Sequence, residues 1–442
     1  MVTERTRLVG GRLVDPAQGI DELADVVVGS GRVLEIVRAS EKRRSSTAPN
    51  GDRIIDVGGM VVAPGFVDLH CHLREPGFED KETIATGTRA AAAGGFTTLC
   101  AMPNTRPTVD TASDVEWVIG AARRQGVVRV HPIGTITRGE SGQELSEMAD
   151  MANAGAVAFS DDGNPVRNAR LMRNALAYSR VTGRPIVDHA EDADLVDGGV
   201  MHDGRVASIL GLRGVPAEAE EVAVARDVAL ARATGGKLHL AHISTAAAVD
   251  LVRIAKTHGV AVTAEATPHH LLMTDEWISG TGFGLPPFNT NCRVNPPLRT
   301  DADRAALLEG LLDGTIDCIA TDHAPHTSVD KDCEFDQAAP GISGLETAFG
   351  LLMRLVEIGQ LEFATLIRLL TIAPAQVFKL DAGSLRIGAP ADLTVIDPGA
   401  EWTVDVRKFH SKGKNSPLQG ERLRGVIRMT MVGGEVVHEV GQ

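Results

Sequence analysis

Within the run Val67-Asp68-Leu69-His70-Cys71-His72-Leu73-Arg74, two imidazoles and a guanidinium are spaced two residues apart. In a strand, residues two apart share a face, so His70, His72 and Arg74 point together while Cys71 points away. Two imidazoles on one face at the end of a strand can chelate a divalent cation. The plainer alternative is two unrelated histidines near a strand end. Further short apolar runs end in groups of the same kind. Ala158-Phe159-Ser160 leads to Asp161-Asp162, Val187 to Asp188-His189, and Leu240-Ala241 to His242. The last leads through Ile319-Ala320-Thr321 to Asp322-His323-Ala324-Pro325-His326. Four imidazoles and two or more carboxylates, buried together without partners, would be costly or would titrate to neutrality. A metal pair accounts for them.

The remaining histidines fit duller roles. His239 is off-register with His242, His258 closes a helix before Gly259, and His202, His410 and His438 fall in loops or near the termini. His131, His269 and His270 lie near strand ends, where they could support ligands from behind. Asp161 and Asp188 flank better candidates and suit hydrogen bonding, and Cys71 suits the core.

Strand ends converge where a barrel's active site forms. The central part of the chain alternates strand-like runs, beginning near Val61, Thr97, Val127, Ala156, Pro185, Lys237, Val260 and Ile316, with helical stretches. The helices are expected at 81–93, 112–124, 143–153, 169–182, 217–234, 246–257, 301–312 and 345–358. Glycines such as Gly183, Gly235 and Gly314 stand where helices should close. Eight βα units in succession indicate an α/β fold, a (β/α)8 TIM-like barrel. A doubly wound sheet is the alternative, but the dinucleotide fingerprint is missing after the first strand. Both ends of the chain read as short strands and predict one small β-sandwich, formed from residues 1–62 and 386–442 around a barrel at 63–385. A polar stretch at 39–51 is expected to be mobile.

Composition narrows the function further. The 442 residues carry a net charge of −14, which argues against nucleic-acid binding. Lys42-Arg43-Arg44 reads as a solvated loop. The absence of a long apolar run and of a secretory segment after Met1 argues against a membrane and for the cytoplasm. Five cysteines without a C-x-x-C pair suit free thiols in that compartment.

The run His70-Cys71-His72-Leu73-Arg74-Glu75-Pro76-Gly77 is followed by Ala92-Ala93-Gly94-Gly95-Phe96-Thr97-Thr98 and Met102-Pro103-Asn104-Thr105. With Arg293-Val294-Asn295-Pro296-Pro297-Leu298-Arg299 and Ala320-Thr321-Asp322-His323-Ala324-Pro325-His326, these motifs resemble the dihydroorotases of the amidohydrolase superfamily, in their bacterial class I form. The resemblance covers essentially the whole chain. It implies two Zn2+ per subunit, one held by His70, His72 and Asp322 and the other by His189 and His242. In many relatives a carboxylated lysine bridges the ions, but no lysine lies between Gly155 and Ala190. The class I resemblance implies Asp162 as the bridge, with Asp161 the alternative, and a single bound ion is the alternative to two.

The implied reaction is the reversible cyclisation of N-carbamoyl-L-aspartate to L-dihydroorotate in pyrimidine biosynthesis. Zinc-bound hydroxide would attack the ring carbonyl while Asp322 carries the proton. Arg74 and Asn104 would grip the substrate carboxylate, an ordinary surface ion pair being the alternative for Arg74. By resemblance His72, Asn295, His326 and the backbone near Pro340-Gly341 complete the substrate site. Loops 283–291 and 327–340 are long enough for lids. Implied partners are a second copy of the chain, as a homodimer, and aspartate transcarbamoylase. The rivals are another cyclic amidohydrolase (hydantoinase, dihydropyrimidinase or allantoinase) and an inactive scaffold homologue. The first two normally use the missing lysine, and the scaffold should have lost ligands.

Overall fold

A computed structural model of the chain describes residues 5–38, 53–280 and 284–440. The polar stretch expected to be mobile lies outside them. Eight parallel strands form the barrel: Phe66–Cys71, Phe96–Ala101, Arg129–Pro132, Phe159–Ser160, Ile186–Asp188, Leu238–Leu240, Val262–Ala266 and Cys318–Ile319. The first three pair in sequence, as do the last five. Parallel bridges Gly134↔Phe159 and Cys71↔His323 close the ring. Helices follow on the outside, among them Ile84–Ala93, Ala169–Thr182, Ala246–Thr257 and Ala348–Glu357. Gly183, Gly235 and Gly314 do end helices in the left-handed conformation, as a residue without Cβ allows.

Strand alternation sorts the core into two layers. Phe66, Leu99 and Phe159 pack outward against helix residues such as Ala91, Val118 and Leu176. Val67, Leu69, Cys100, Ile133 and Val187 pack inward, joined by Phe378 from the helix Ile372–Phe378.

The two ends of the chain share one further sheet. Its order runs Glu435–Glu439, Arg422–Val432, Leu393–Thr403, Val61–Pro64, Arg12–Asp15, Ile20–Gly29, Arg5–Val9, Arg53–Asp56, with Arg32–Arg38 paired to Ile20–Gly29. Leu13, Val26, Val62, Leu393 and Met431 form its core. Here the expected start of the first barrel strand, near Val61, is corrected. Val61–Pro64 belongs to the terminal sheet and pairs with both Arg12–Asp15 and Leu393–Thr403, so a boundary at 62/63 falls inside a strand. The barrel strand begins after Gly65, where a Cβ would stand 2.1 Å from Thr97 Oγ1. Only a residue without a side chain lets the chain pass so close from one sheet to the other. Among the described residues, no helix is long and apolar enough to cross a membrane.

Candidate metal centre

All six expected ligands stand at C-terminal ends of barrel strands. His70 and His72 lie at the end of the first strand, and Asp162 follows the fourth. His189 follows the fifth strand, His242 the sixth and Asp322 the eighth. All are buried. The backbone at His242 (φ 27°), Asp322 (φ 46°) and Arg74 (φ 60°) is left-handed. Bulky residues rarely adopt it, and such strain concentrates at functional sites.

The side chains converge. His70 Nε2 lies 3.4 Å from Asp162 Oδ1 and 3.5 Å from Asp322 Oδ1, and His72 Nε2 lies 3.2 Å from that Asp322 atom. His189 Nδ1 and His242 Nε2 stand 3.0 Å apart, at 3.7 and 3.8 Å from Asp162 Oδ1. Two triads with metal-binding spacing result, His70-His72-Asp162 and Asp162-His189-His242, sharing Asp162. Asp161 turns away and accepts hydrogen bonds from the Ile136 and Thr137 amides and the Thr137 hydroxyl. Cys71 also turns away, its Sγ 3.4 Å from the Cys100 carbonyl.

Electrostatics follow from this crowding. Burial disfavours the charged form of His70, but Asp162 and Asp322 outweigh it and hold the group well above the usual imidazole value. The same contest raises His189 to about 10, with Asp162 and Glu191 winning. Asp162 and Asp322 are held down by these imidazoles despite burial. His72 is lowered, by burial and then by Arg74.

The donor set fits a divalent cation. Among the described residues, His70 Nε2 and Asp162 Oδ1 are buried without a hydrogen-bond partner, and they face each other. Such atoms need a cation or a shared proton between them. Imidazole and carboxylate donors in this number suit zinc.

Support for the first pair comes from Glu265, which sequence reasoning missed, and from Asn104, which it expected at the substrate carboxylate. Glu265, buried in the seventh strand, lies 3.0 Å from His70 Nδ1 and 3.1 Å from His239 Nε2. His72 Nδ1 faces Asn104 Oδ1 at 3.0 Å, while Asn104 Nδ2 donates to the Asp162 carbonyl and carboxylate at 3.2 Å. Donation from Nδ1 in each case leaves Nε2 to face the cluster. A lone carboxylate in Val262-Thr263-Ala264-Glu265-Ala266 was the available signal for Glu265.

Arg74 donates to the Pro325 carbonyl at 3.3 Å and stands 3.4 Å from His326 Nε2, both neutral partners. Asn295 Nδ2 is 3.2 Å from His189 Nε2, and the Pro340 carbonyl is 2.9 Å from His326 Nε2. His270 contacts Thr267 Oγ1 and the Pro296 carbonyl, with His269 against its ring. His131 lines an outer cleft with Ile119 and Val432, away from the cluster. Stretches 284–291 and 327–340 are fastened together, Lys331 Nζ donating to the Thr290 carbonyl and Thr290 Oγ1 to that of Lys331.

A family model described as dihydro-orotase-like matches residues 59–248. The chain is 51% identical over 433 residues, 98% of each protein, to the dihydroorotase of Anaeromyxobacter sp. (strain K). To that of Geobacter sp. (strain M21) it is 48% identical over 432 residues, 98% of this chain and 99% of the relative. Among solved structures, the L-hydantoinase of Arthrobacter aurescens matches with a TM-score of 0.88 at 26% identity, covering 100% of this chain and 97% of that one. That likeness carries the TIM-barrel amidohydrolase fold, and the near-full-length identity carries the narrower conclusion that the chain belongs to the dihydroorotase family.

Proposed function

We propose that this chain is a dihydroorotase of the class I type, interconverting N-carbamoyl-L-aspartate and L-dihydroorotate at a site for two Zn2+ ions. The observation that carries the substrate choice is Arg74. Its guanidinium stands beside the cluster with neutral hydrogen-bond partners, which leaves its charge for a substrate carboxylate. His70, His72 and Asp322 would hold one ion, His189 and His242 the other, with Asp162 common to both. Bound there, zinc supplies water acidified toward neutral pH and polarises a carbonyl.

The chain's own groups do the rest. Asp322 stands with Oδ1 beside both His70 and His72. It is the carboxylate placed to take a proton from attacking water and return it to the departing ring nitrogen. The reverse transfers close the ring and release water. Burial and the neighbouring Arg74 push His326 down to about 2, so a neutral imidazole meets the substrate beside the guanidinium. Asn104, Asn295 and the backbone at Pro340-Gly341 complete the pocket. Stretches 284–291 and 327–340 close over it as lids, and ligand should then protect them from proteolysis.

The same reading assigns the chain to the cytoplasm, as a homodimer that associates with aspartate transcarbamoylase. Size-exclusion chromatography with and without the transferase tests the assembly. The test of activity is conversion of L-dihydroorotate, with dihydrouracil, hydantoin and allantoin in parallel. Turnover of the carboxylate-bearing ring alone, lost to a chelator and restored by zinc, is expected. Turnover of an uncharged ring instead would overturn the substrate assignment. Arg74→Met should weaken transition-state binding of L-dihydroorotate by about 2–5 kcal/mol. An equal loss in the affinity of dihydrouracil, read as competitive inhibition, would remove Arg74 from the carboxylate site.

A further inference from the structure

Between Leu393–Thr403 and Arg422–Val432, strands of the lobe formed by the terminal sheet, residues 409–416 reach the barrel mouth. Asn415 is buried there. Its Oδ1 accepts from the His326 amide at 2.9 Å and from the Ser343 hydroxyl at 2.8 Å. Its Nδ2 donates to the Ala324 carbonyl at 3.0 Å and the Gly341 carbonyl at 2.9 Å. The amide's full capacity, two donors and two acceptor sites, is thus used on two segments that flank the site. The Asn415 carbonyl also accepts from the Ser343 amide at 2.9 Å.

The approach leaves no slack. A Cβ on Gly413 would meet Pro325 Cβ at 2.5 Å and Ser343 Oγ at 2.7 Å. Glu82 fastens the same strand of chain from below, accepting from Ser411 Oγ at 2.5 Å and the Lys412 amide at 3.2 Å. The same carboxylate lies 3.4 Å from His323 Nε2, one residue from Asp322.

We infer that Asn415 is a positioning residue for substrate binding: it fixes the separation of the His326 and Gly341 segments, and so the placement of the His326 imidazole against the substrate carboxylate. This rests on the reading of His326 and Gly341 as substrate-binding. The lobe, which contributes none of the six clustered ligands, thereby sets the shape of the substrate pocket. Asn415 touches no reacting atom, so its effect should fall on KM and spare kcat.

The experiment is a double-mutant cycle on the zinc-loaded full chain with Asn415→Ala, His326→Ala and both. Asn415→Ala should raise KM for L-dihydroorotate about ten- to a hundredfold, the scale of a small misplacement of a binding group, with kcat and zinc content near the parent's. Because Asn415 acts through His326, the double variant should be little worse than His326→Ala alone. Unchanged KM in a folded Asn415→Ala protein, a loss confined to kcat, or additive effects would each overturn the inference while leaving the site reading intact. Unchanged KM in His326→Ala would instead sink the underlying reading. If Asn415→Ala does not fold, Asn415→Asp takes its place in the cycle with the same outcomes. It retains the acceptor for the His326 amide and loses both donors to the carbonyls.

Discussion

His70 and His72 each have Nδ1 set against an acceptor at 3.0 Å, Glu265 and Asn104 respectively, whereas the other pair of imidazoles is held more loosely. His189 meets Asn295 at 3.2 Å and Glu191 at 3.6 Å, both on loops. His242 Nδ1 is buried with no hydrogen-bond partner among the described residues. Both pairs face the same carboxylate, Asp162. An imidazole anchored at its far nitrogen keeps its tautomer and orientation before a cation arrives, while an unanchored one is oriented by the cation itself. On the proposed two-ion reading, the first position would be pre-formed and the second completed on binding. Whether one ion or two is retained then depends on the less supported pair.

Removing a ligand from each pair gives the largest effect and the sharpest contrast. His70→Ala should abolish turnover and strip both ions, because the anchored position is lost. His189→Ala should also lose turnover but retain close to one zinc per chain after gel filtration, read by elemental analysis. Equal zinc retention in the two variants would erase the asymmetry. Next in size is the support itself. Glu265→Gln should cost about 10–100-fold in zinc affinity at the first position, the usual scale for an outer partner of a ligating histidine. If its affinity matches the parent's, anchoring does not explain the difference between the pairs.

Protons report the same comparison. In the metal-free chain burial disfavours charge on His189, yet Asp162 and Glu191 hold it at about 10. A raised value means the paired imidazole stabilises the metal-free fold fully below the unfolded value near 6.5, and this stability is lost as pH rises through about 10. The melting temperature of chelated protein should therefore fall between pH 7 and 10, with zinc-loaded protein free of this loss. Zinc uptake at pH 8 must also displace protons from His189 and His70. Calorimetry in buffers of different ionisation enthalpy should show that release. A heat independent of buffer would mean the imidazoles are already neutral.

The clustered side chains were legible because strand geometry is local. His70 and His72 lie two apart on one face, and each other ligand falls within three residues of a strand's end. The hold of Glu265 on His70 and that of Asn415 on His326 were not legible. Glu265 lies 195 residues from His70, and Asn415 lies 89 from His326, so barrel closure and the return of the chain's end create those contacts. Arg74 was read through its parity with two clustered histidines, but its left-handed backbone ends the strand pattern, and its partners Pro325 and His326 follow the eighth strand, brought beside the first only when the ring closes. The misplaced start of the first barrel strand has a simpler cause. The run from Val61 to Leu69 is apolar almost throughout, and hydrophobicity does not distinguish two strands of different sheets. Gly65 was the available mark.

Cys71 makes the smallest prediction and isolates the cause of rigidity in the first pair. It sits between two ligands in sequence, yet its side chain packs with Phe66, Leu73 and Leu99 on the helix side of the strand. If packing behind the strand held His70 and His72 in place, trimming this thiol would loosen both. If Glu265 and Asn104 hold them, Cys71→Ala should cost about 1 kcal/mol of stability, as a small buried truncation does, and leave zinc affinity and kcat within about twofold. Burial also pushes the thiol well above its ordinary value, so it offers no thiolate to compete for the cation. A Cys71→Ala protein that melted near the parent's temperature but lost zinc from the first position would transfer the credit from the anchoring hydrogen bonds to the packing layer.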